Sequence, residues 1–402
     1  MEFLFWSAVA LLAYAYAGYP LLVTLVAARV PRRVVGSQGV TPSVTIVITV
    51  YNEAARIESR LDNLLALDYP PEKVEIFVGS DGSDDGTAEL ARRYAGRNVH
   101  VFAFAFRRGK PAMLNDLIPR ASADIVVLAD ARQAYAPDAL KRLVAGFADP
   151  AVGAISGELV LGDPPPGTAV GSGVGVYWRY EKHIRRAEAR VDSAVGATGA
   201  IYALRRQIFE PIPVDTVLDD VLIPMQVVRR GHRVLFESGA RAFDRASASG
   251  REEFTRKMRT IAGLFQLFAA HPWLLSPLSN RLWLQTVSHK ALRLCGPVLL
   301  MTAFVSSAAL ADQLFYRVAM WAQLAFYAAA VAGAAARIRG RVPRALSLPF
   351  TFCLLNLATL AAIWRFAVAG QAVTWDRTAA ADAVPNARWS GVRPGSARAV
   401  RN

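Results

Sequence analysis

From residue 41 onward, hydrophobic positions fall into short unbroken runs separated by segments of helical spacing. Val44–Val50 (VTIVITV) is a β-branched run of strand length, and residues 53–67 repeat apolar side chains at Ile57, Leu61, Leu64 and Leu65. The alternation continues with a strand at 74–79, a helix at 87–94, a strand at 99–104, a helix at 111–118 and a strand at 125–128. Continuous apolar strands alternating with helices predict a largely parallel sheet covered on both faces. Right-handed crossovers then make it a doubly wound domain of the nucleotide-binding type, with ligands beyond the carboxyl ends of the strands. Residues 153–161 resume strand character, 163–175 read as a Pro/Gly-rich loop and 177–190 as a charged helix. No internal repeat is present.

A second pattern lies outside this alternation. Residues 3–28, 294–311, 318–336 and 345–364 carry no charged side chain. A bilayer crossing takes roughly 20 apolar residues, so the first run is long enough and the others adequate. A cleaved signal peptide is the alternative for the first run, but it exceeds a signal core and begins with Glu2 rather than a basic residue, so a retained anchor is expected. Residues 251–285 mix Arg and Lys with Phe, Leu and Trp, which suits helices in the membrane interface, the alternative being ordinary amphipathic core helices.

Composition changes this picture little; charge changes it more. The 402 residues are 53% hydrophobic and carry a net charge of +14. Arg29, Arg32 and Arg33 follow the first apolar run, and Arg337, Arg339, Arg341 and Arg344 stand between the last two. Basic clusters beside spans mark the cytoplasmic side, which puts the middle of the chain in the cytoplasm. Three later crossings would leave the tail after Arg365 on the opposite side, where its basic character breaks the same rule. The remaining charge is expected to face anionic headgroups and an anionic substrate rather than nucleic acid. Arg179 to Arg190 reads as a solvated helix face, with a grip on phosphates or headgroups as the alternative. Cys295 and Cys353 lie in apolar runs as plain core residues, and no CxxC or HExxH spacing suggests zinc. The Arg excess over Lys and the Ala-rich chain fit a GC-rich bacterial genome.

The candidate chemistry gathers at the strand ends. The first predicted strand runs into Tyr51-Asn52-Glu53, the second into Ser80-Asp81-Gly82-Ser83-Asp84-Asp85-Gly86-Thr87, the third is followed by Gly109-Lys110, and the fourth by Asp130-Ala131-Arg132. Four parallel strands thus deliver polar groups to one sheet edge. Carboxylates there suit a base, a ribose or a divalent cation, and Lys110 a phosphate. Asp81, Ser83, Asp85 and Gly86 match the opening of a calcium-binding EF-hand loop, but its last ligand position is Arg92 and a strand precedes it, so that reading fails. One of Asp84 and Asp85 is expected to cap the helix near Thr87. Gly171, Gly173 and Gly175 do not form a dinucleotide-binding GxGxxG.

These motifs, continued by Gly199-Ala200-Ile201-Tyr202-Ala203-Leu204-Arg205-Arg206, Leu218-Asp219-Asp220 and Arg230-Gly231-His232-Arg233-Val234, resemble the family 2 glycosyltransferases of the GT-A fold over roughly residues 41–260. The apolar spans are similar to the membrane-bound cellulose and hyaluronan synthase-like branch. The resemblance implies an α/β GT-A-type fold, Rossmann-like with a mostly parallel sheet, as a cytoplasmic domain beside transmembrane and interfacial helices. It implies donor binding by Tyr51, Asn52, Glu53, Asp81, Gly82, Lys110, Asp130, Arg132, Arg256 and Arg259. Glu53 and Asp81 would meet the nucleoside, and Asp130 the diphosphate with Mg²⁺ or Mn²⁺. Gly199, Ala200 and Asp219 would stand on the acceptor side and Asp220 would be the general base. The alternative for Asp219-Asp220 is a solvated pair before a helix.

Two departures matter. The family's second acid, two residues after Asp130, is Arg132 here; either Asp130 and the phosphates hold the ion unaided, or Arg132 supplies part of the positive charge. In place of the processive synthases' Gln-x-x-Arg-Trp stands Arg256-Lys257-Met258-Arg259-Thr260, which keeps the cations and loses the Trp.

The expected organisation is an anchor at 1–30, a transferase domain at 41–245, interfacial helices at 250–290, three transmembrane helices at 291–369 and a basic tail at 370–402. The expected activity is inverting transfer from a nucleotide sugar, a UDP-sugar by expectation, to a lipid-linked or glycan acceptor at the cytoplasmic face of a bacterial inner membrane, for cell-surface polysaccharide or glycolipid synthesis. Membrane lipids are expected partners and nucleic acid is not. Two other classes stay open: a catalytically silent nucleotide-sugar-binding subunit serving another synthase or exporter, and a basic protein of membrane surfaces or nucleic acid.

Overall fold

The computed structural model describes residues 1–32, 41–162, 171–244, 250–338 and 343–369. The expected tail at 370–402, most of the link before residue 41 and the first part of the 163–175 loop lie outside the described residues. The strands are β1 (Val44–Val50), β2 (Val74–Asp81), β3 (Val99–Phe104), β4 (Ile125–Ala129), β5 (Ala134–Tyr135), β6 (Val152–Leu161), β7 (Ile201–Arg205) and β8 (Arg233–Asp244). The helices are α1 (Glu2–Ala13), α2 (Tyr19–Arg29), α3 (Ala54–Leu65), α4 (Thr87–Arg92), α5 (Lys110–Leu117), α6 (Ala139–Ala145) and α7 (Gly171–Val191). They continue with α8 (Asp219–Arg229), α9 (Gly250–Ala270), α10 (Trp283–Gln285), α11 (Leu292–Leu294), α12 (Gly296–Ala309), α13 (Leu314–Ile338) and α14 (Arg344–Ala369).

One sheet runs β3-β2-β1-β4-β7-β6-β8-β5. β3, β2, β1 and β4 are mutually parallel, β7 is antiparallel to both its neighbours, and β6 pairs parallel with β8. Alternate residues of β1 serve the two faces. Val44, Ile46, Ile48 and Val50 pack with Ile57, Leu61 and Leu64 of α3 and Leu140 and Leu143 of α6. Val47 joins Met113, Leu114 and Leu117 of α5 and Leu222 and Ile223 of α8. Both faces are therefore covered, and the carboxyl ends of β1, β2 and β4 open together at one edge.

Several expectations need correcting. The backbone of Gly171, Gly173 and Gly175 lies in α7 rather than in a loop. The charged run of α7 is not simply solvated: Lys182 and Arg186 pair with Glu158 of β6 at 2.5 and 2.9 Å, and Glu181 and Glu188 are buried. Cys295 is exposed and Cys353 partly so, neither a core residue.

Among the described residues, three helical runs are long and apolar enough to cross a membrane, 2–29, 314–337 and 345–364, and the pair 283–294 and 296–309, bent by 60°, makes a fourth if it counts as one span. The first run is continuous through a π turn at Tyr14–Gly18. Its beginning meets the start of α13, where the Gln313 amide donates to Glu2 at 3.2 Å and Trp6 stacks on Phe315. Its end meets the α/β domain, where the Arg32 N–H donates to the Arg190 carbonyl at the end of α7. α14 begins against Gly333, about 28 Å along α13 at 1.5 Å per residue. Near its other end Phe366 stacks on Phe265 of α9, a helix whose Leu267 belongs to the domain core.

Candidate active site

At the sheet edge the chain builds a cavity of about 1250 Å³ that runs from the strand ends to α7, α9 and α14. Of the residues singled out in the sequence, Tyr51, Glu53, Asp81, Lys110, Asp130, Arg132, Gly199, Ala200, Asp219, Asp220, Arg256 and Arg259 all line it. Asn52 and Gly82 do not. Asn52 adopts a positive φ of 51° and exchanges hydrogen bonds with Asp84: its amide donates to the Asp84 carboxylate at 2.7 Å and its carbonyl accepts the Asp84 N–H at 3.0 Å. It ties the end of β1 to the acidic loop. Gly82, at φ +69°, lets the chain at Phe106 and Arg107 approach; an added Cβ would lie 2.7 Å from the Arg107 nitrogen.

The acidic loop is mostly framework. Asp85 accepts the N–H of Thr87 at 3.0 Å and of Ala54 at 3.0 Å, joining the starts of α4 and α3. Buried Asp81 accepts the N–H groups of Arg108 and Gly109 at 2.7 and 2.8 Å, so its carboxylate positions the entry to Lys110 as well as facing the cavity. Arg107 lies over the Tyr51 ring at 3.9 Å, and Glu53 pairs with Arg56 at 2.8 Å.

The centre is a lysine between aspartates. Lys110, at the start of α5 and buried, places its ammonium 3.1 Å from Asp130 and 3.3 Å from Asp219. Burial works against that charge, but Asp130, Asp219 and Asp220 outweigh it and hold the lysine above its ordinary value. Asp219 and Asp220 are the first residues of α8 and point differently. Gly199 leaves the room Asp220 occupies, since a Cβ there would lie 3.1 Å from its Oδ2. Burial, then the neighbouring Asp219, push the Asp220 carboxyl up to about 6, against the pull of Lys110 and Arg185. A carboxylate poised near neutrality suits proton abstraction.

Arg132 is ion-paired to Asp244 at 2.6 Å, and Gln133 donates to the same oxygen at 3.0 Å. Asp244, from the end of β8, was not found in the sequence, because nothing local ties it to residues over a hundred positions earlier. Trp178 of α7 was missed too. It lines the cavity, carries the Lys257 ammonium 5.3 Å over its ring and has a buried indole N–H without a partner. An aromatic platform is thus present on another element than the missing Trp after Arg259.

Among the described residues no group of three or more His, Cys, Asp or Glu side chains gathers as a metal cage. The donor end nevertheless fits a divalent cation. Asp130 and Asp219 flank Lys110 there, and Asp130 uses only one oxygen on it. Hard cations accept one carboxylate completed by phosphate oxygens.

The profile described as "Glycosyltransferase like family 2" matches residues 42–266, more than half of the chain. Poly-beta-1,6-N-acetyl-D-glucosamine synthase of Staphylococcus aureus (strain COL) is 39% identical over 117 residues, 29% of this chain and 28% of the synthase. The glycosyltransferase AglE of Haloferax volcanii is 32% identical over 130 residues, 32% of this chain and 43% of that protein. The chain thus spans under a third of the synthase and under half of AglE. Among solved structures, the mannosyltransferase PcManGT from Pyrobaculum calidifontis, in complex with GDP-Man and Mn2+, aligns with a TM-score of 0.69 at 25% identity, covering 91% of this chain and 99% of its own.

Proposed function

From the premise that this chain belongs to the glycosyltransferase-like family 2, and is a nucleotide-sugar glycosyltransferase of the Rossmann-like GT-A fold, we propose that it transfers one sugar with inversion to a lipid-linked or glycan acceptor at the cytoplasmic face of a membrane. The observation that carries this reading is Asp220, set apart from the Lys110–Asp130–Asp219 cluster and poised near neutral pH. An acceptor hydroxyl attacks the anomeric carbon, Asp220 takes its proton, and the bond to the diphosphate breaks with its electron pair leaving on phosphate. One base and no covalent intermediate invert the anomeric centre. Lys110 holds Asp130 and Asp219 in place, and Arg256 and Arg259 stand ready for the diphosphate. A divalent cation on Asp130 would offset charge developing on the diphosphate oxygens.

The donor nucleotide is read as uridine, while the mannosyltransferase holds GDP-Man; a panel of both classes with and without Mn²⁺ decides by thermal shift. Arg132, standing where the family carries its second acid, favours the silent-subunit reading; its ion pair with Asp244 brings another carboxylate to the cavity and supports the enzymatic reading instead. The test is Asp220→Asn with radiolabelled donor and acceptor: transfer is expected to fall about 10²–10⁴-fold, and transfer at the unaltered rate would remove Asp220 as base.

In the membrane we read the first helical run and α13 as crossings and the bent pair ending in α12 as a third. α14 is apolar enough to cross, but both of its ends contact elements on the domain's side. It is read here as lying along that face over the cavity. This brings the end of the described chain to the same side as Arg29 and relieves the charge conflict noted in the sequence.

A further inference from the structure

Helix α3 carries a guanidinium inside the domain core. Arg60 is 2% exposed. Its Nη1 donates to Asn63 at 2.9 Å, while its Nε and Nη2 are buried without a partner. A ring covers it: the guanidinium lies 4.2 Å over Tyr135 of β5. The core face of an amphipathic helix ordinarily holds apolar residues, because a buried and half-satisfied cation is costly. Such an exception points to a task beyond packing.

Tyr135, 3% exposed, is gripped from α3 at three points. Its N–H donates to Asn63 at 2.8 Å, its carbonyl accepts from the Asn63 amide at 3.0 Å, and Arg60 holds the ring face. The hydroxyl thus aimed donates to the Ala200 carbonyl at 3.0 Å in a buried contact. Two further bonds hold the other end of the same short loop. The Ala197 N–H donates to the backbone carbonyl of Asp220 at 2.7 Å, and the Thr198 N–H donates to Ser156 at 2.8 Å. Gly199 stands between these ties and leaves the room that the Asp220 carboxylate occupies. It has no side chain to pack, so its place depends on the bonds made by its neighbours.

We propose that Tyr135, aimed by Arg60 and Asn63, is a positioning residue that holds Gly199 and Ala200 against Asp220 and keeps the base enclosed. The inference rests on Asp220 being the base, and it extends the acceptor side to a hydroxyl that does not itself line the cavity. Tyr135→Phe keeps the ring and deletes only that hydroxyl, leaving the buried Ala200 carbonyl without its donor. The wall beside Asp220 then loosens, and the elevation that burial gives its carboxyl shrinks. Arg60→Met removes the hold on the ring together with the costly charge.

The test follows nucleoside diphosphate release by the full-length protein in detergent with Mn²⁺ and with water as acceptor. The donors are UDP-glucose, UDP-N-acetylglucosamine and GDP-mannose. Tyr135→Phe is expected to lower kcat about tenfold, the scale of one buried hydrogen bond. It should leave the donor KM unchanged and move the acid limb of the pH profile lower. Arg60→Met is expected to lower kcat similarly yet melt no lower than the wild type, since the half-satisfied charge goes with it. Tyr69→Phe is the control. It deletes a hydroxyl that donates to the Pro42 carbonyl at 2.5 Å, away from the cavity wall, and should lower the melting temperature without moving kcat or the limb. Unchanged kcat in a folded Tyr135→Phe or Arg60→Met protein would overturn the proposal. So would a loss confined to donor KM, or the same limb shift in Tyr69→Phe. If Tyr135→Phe does not fold, Arg60→Met decides. Release by Asp220→Asn at the wild-type rate would instead overturn the base assignment beneath the inference.

Discussion

Asp219→Asn and Lys110→Met change the electrostatics of Asp220 in opposite directions. The Asp220 carboxyl is lifted from 3.8 to about 6, which corresponds to about 3 kcal/mol of disfavoured ionisation. Burial is the largest cause, the Asp219 charge the next, and Lys110 pulls the other way. As a base, Asp220 must be ionised, so kcat/KM should fall as the pH drops below about 6. Asp219→Asn removes the repulsion and should move this limb to lower pH by less than about one unit, since burial remains. Lys110→Met removes the stabilising cation and should move it higher. The same titration has a stability sign: a carboxyl raised on folding favours the fold below 3.8 and loses that contribution as the pH rises through about 6. The assay is the pH profile of transfer at limiting acceptor, with thermal melts confirming that each variant is folded. Limbs shifting in the same direction, or a wild-type limb near 4, would refute the assignment.

Gly199→Ala should lower kcat with little change in donor affinity, because a Cβ 3.1 Å from the Asp220 carboxylate displaces the base and not the donor end; a loss confined to donor affinity would contradict this. The membrane reading is checked with single cysteines at Gln313 and Phe366 after replacing Cys295 and Cys353. In vesicles with the domain inside, an impermeant maleimide should reach position 313 and reach 366 only once the membrane is opened, whereas equal labelling of both would make α14 a crossing.

The sequence shows the first half of the sheet clearly, because buried parallel strands are unbroken apolar runs and their helices keep a 3.6-residue period. It does not show β8, whose Arg233, Glu237 and Arg241 interrupt any strand pattern, or β5, which is only two residues long. The opening of α7 reads as loop because glycine lowers helix propensity. Within the site, the motif residues arrive at one edge, but their division of labour is a three-dimensional matter. Asn52 and Gly82 stand in the same motifs as Tyr51 and Asp81, yet they bind other loops rather than face the cavity. Asp244, Trp178 and His289 join the cavity from distant segments, and no spacing rule connects them to it.

The two adjacent aspartates illustrate why spacing stops short of mechanism. Both begin the same helix, where the dipole favours a carboxylate, and successive helical residues point about 100° apart. Asp219 therefore turns toward Lys110, which offers a buried cation at 3.3 Å. Asp220 turns instead into the space left by Gly199, with no carboxylate-to-cation contact within salt-bridge distance among the described residues. Paired, Asp219 anchors the cluster; unpaired and repelled by its neighbour, Asp220 is the more basic group. Different environments assign different tasks to chemically identical side chains. Exchanging the two surroundings, by moving the glycine or the lysine, would be expected to exchange the tasks, while swapping the aspartates in sequence changes nothing at all.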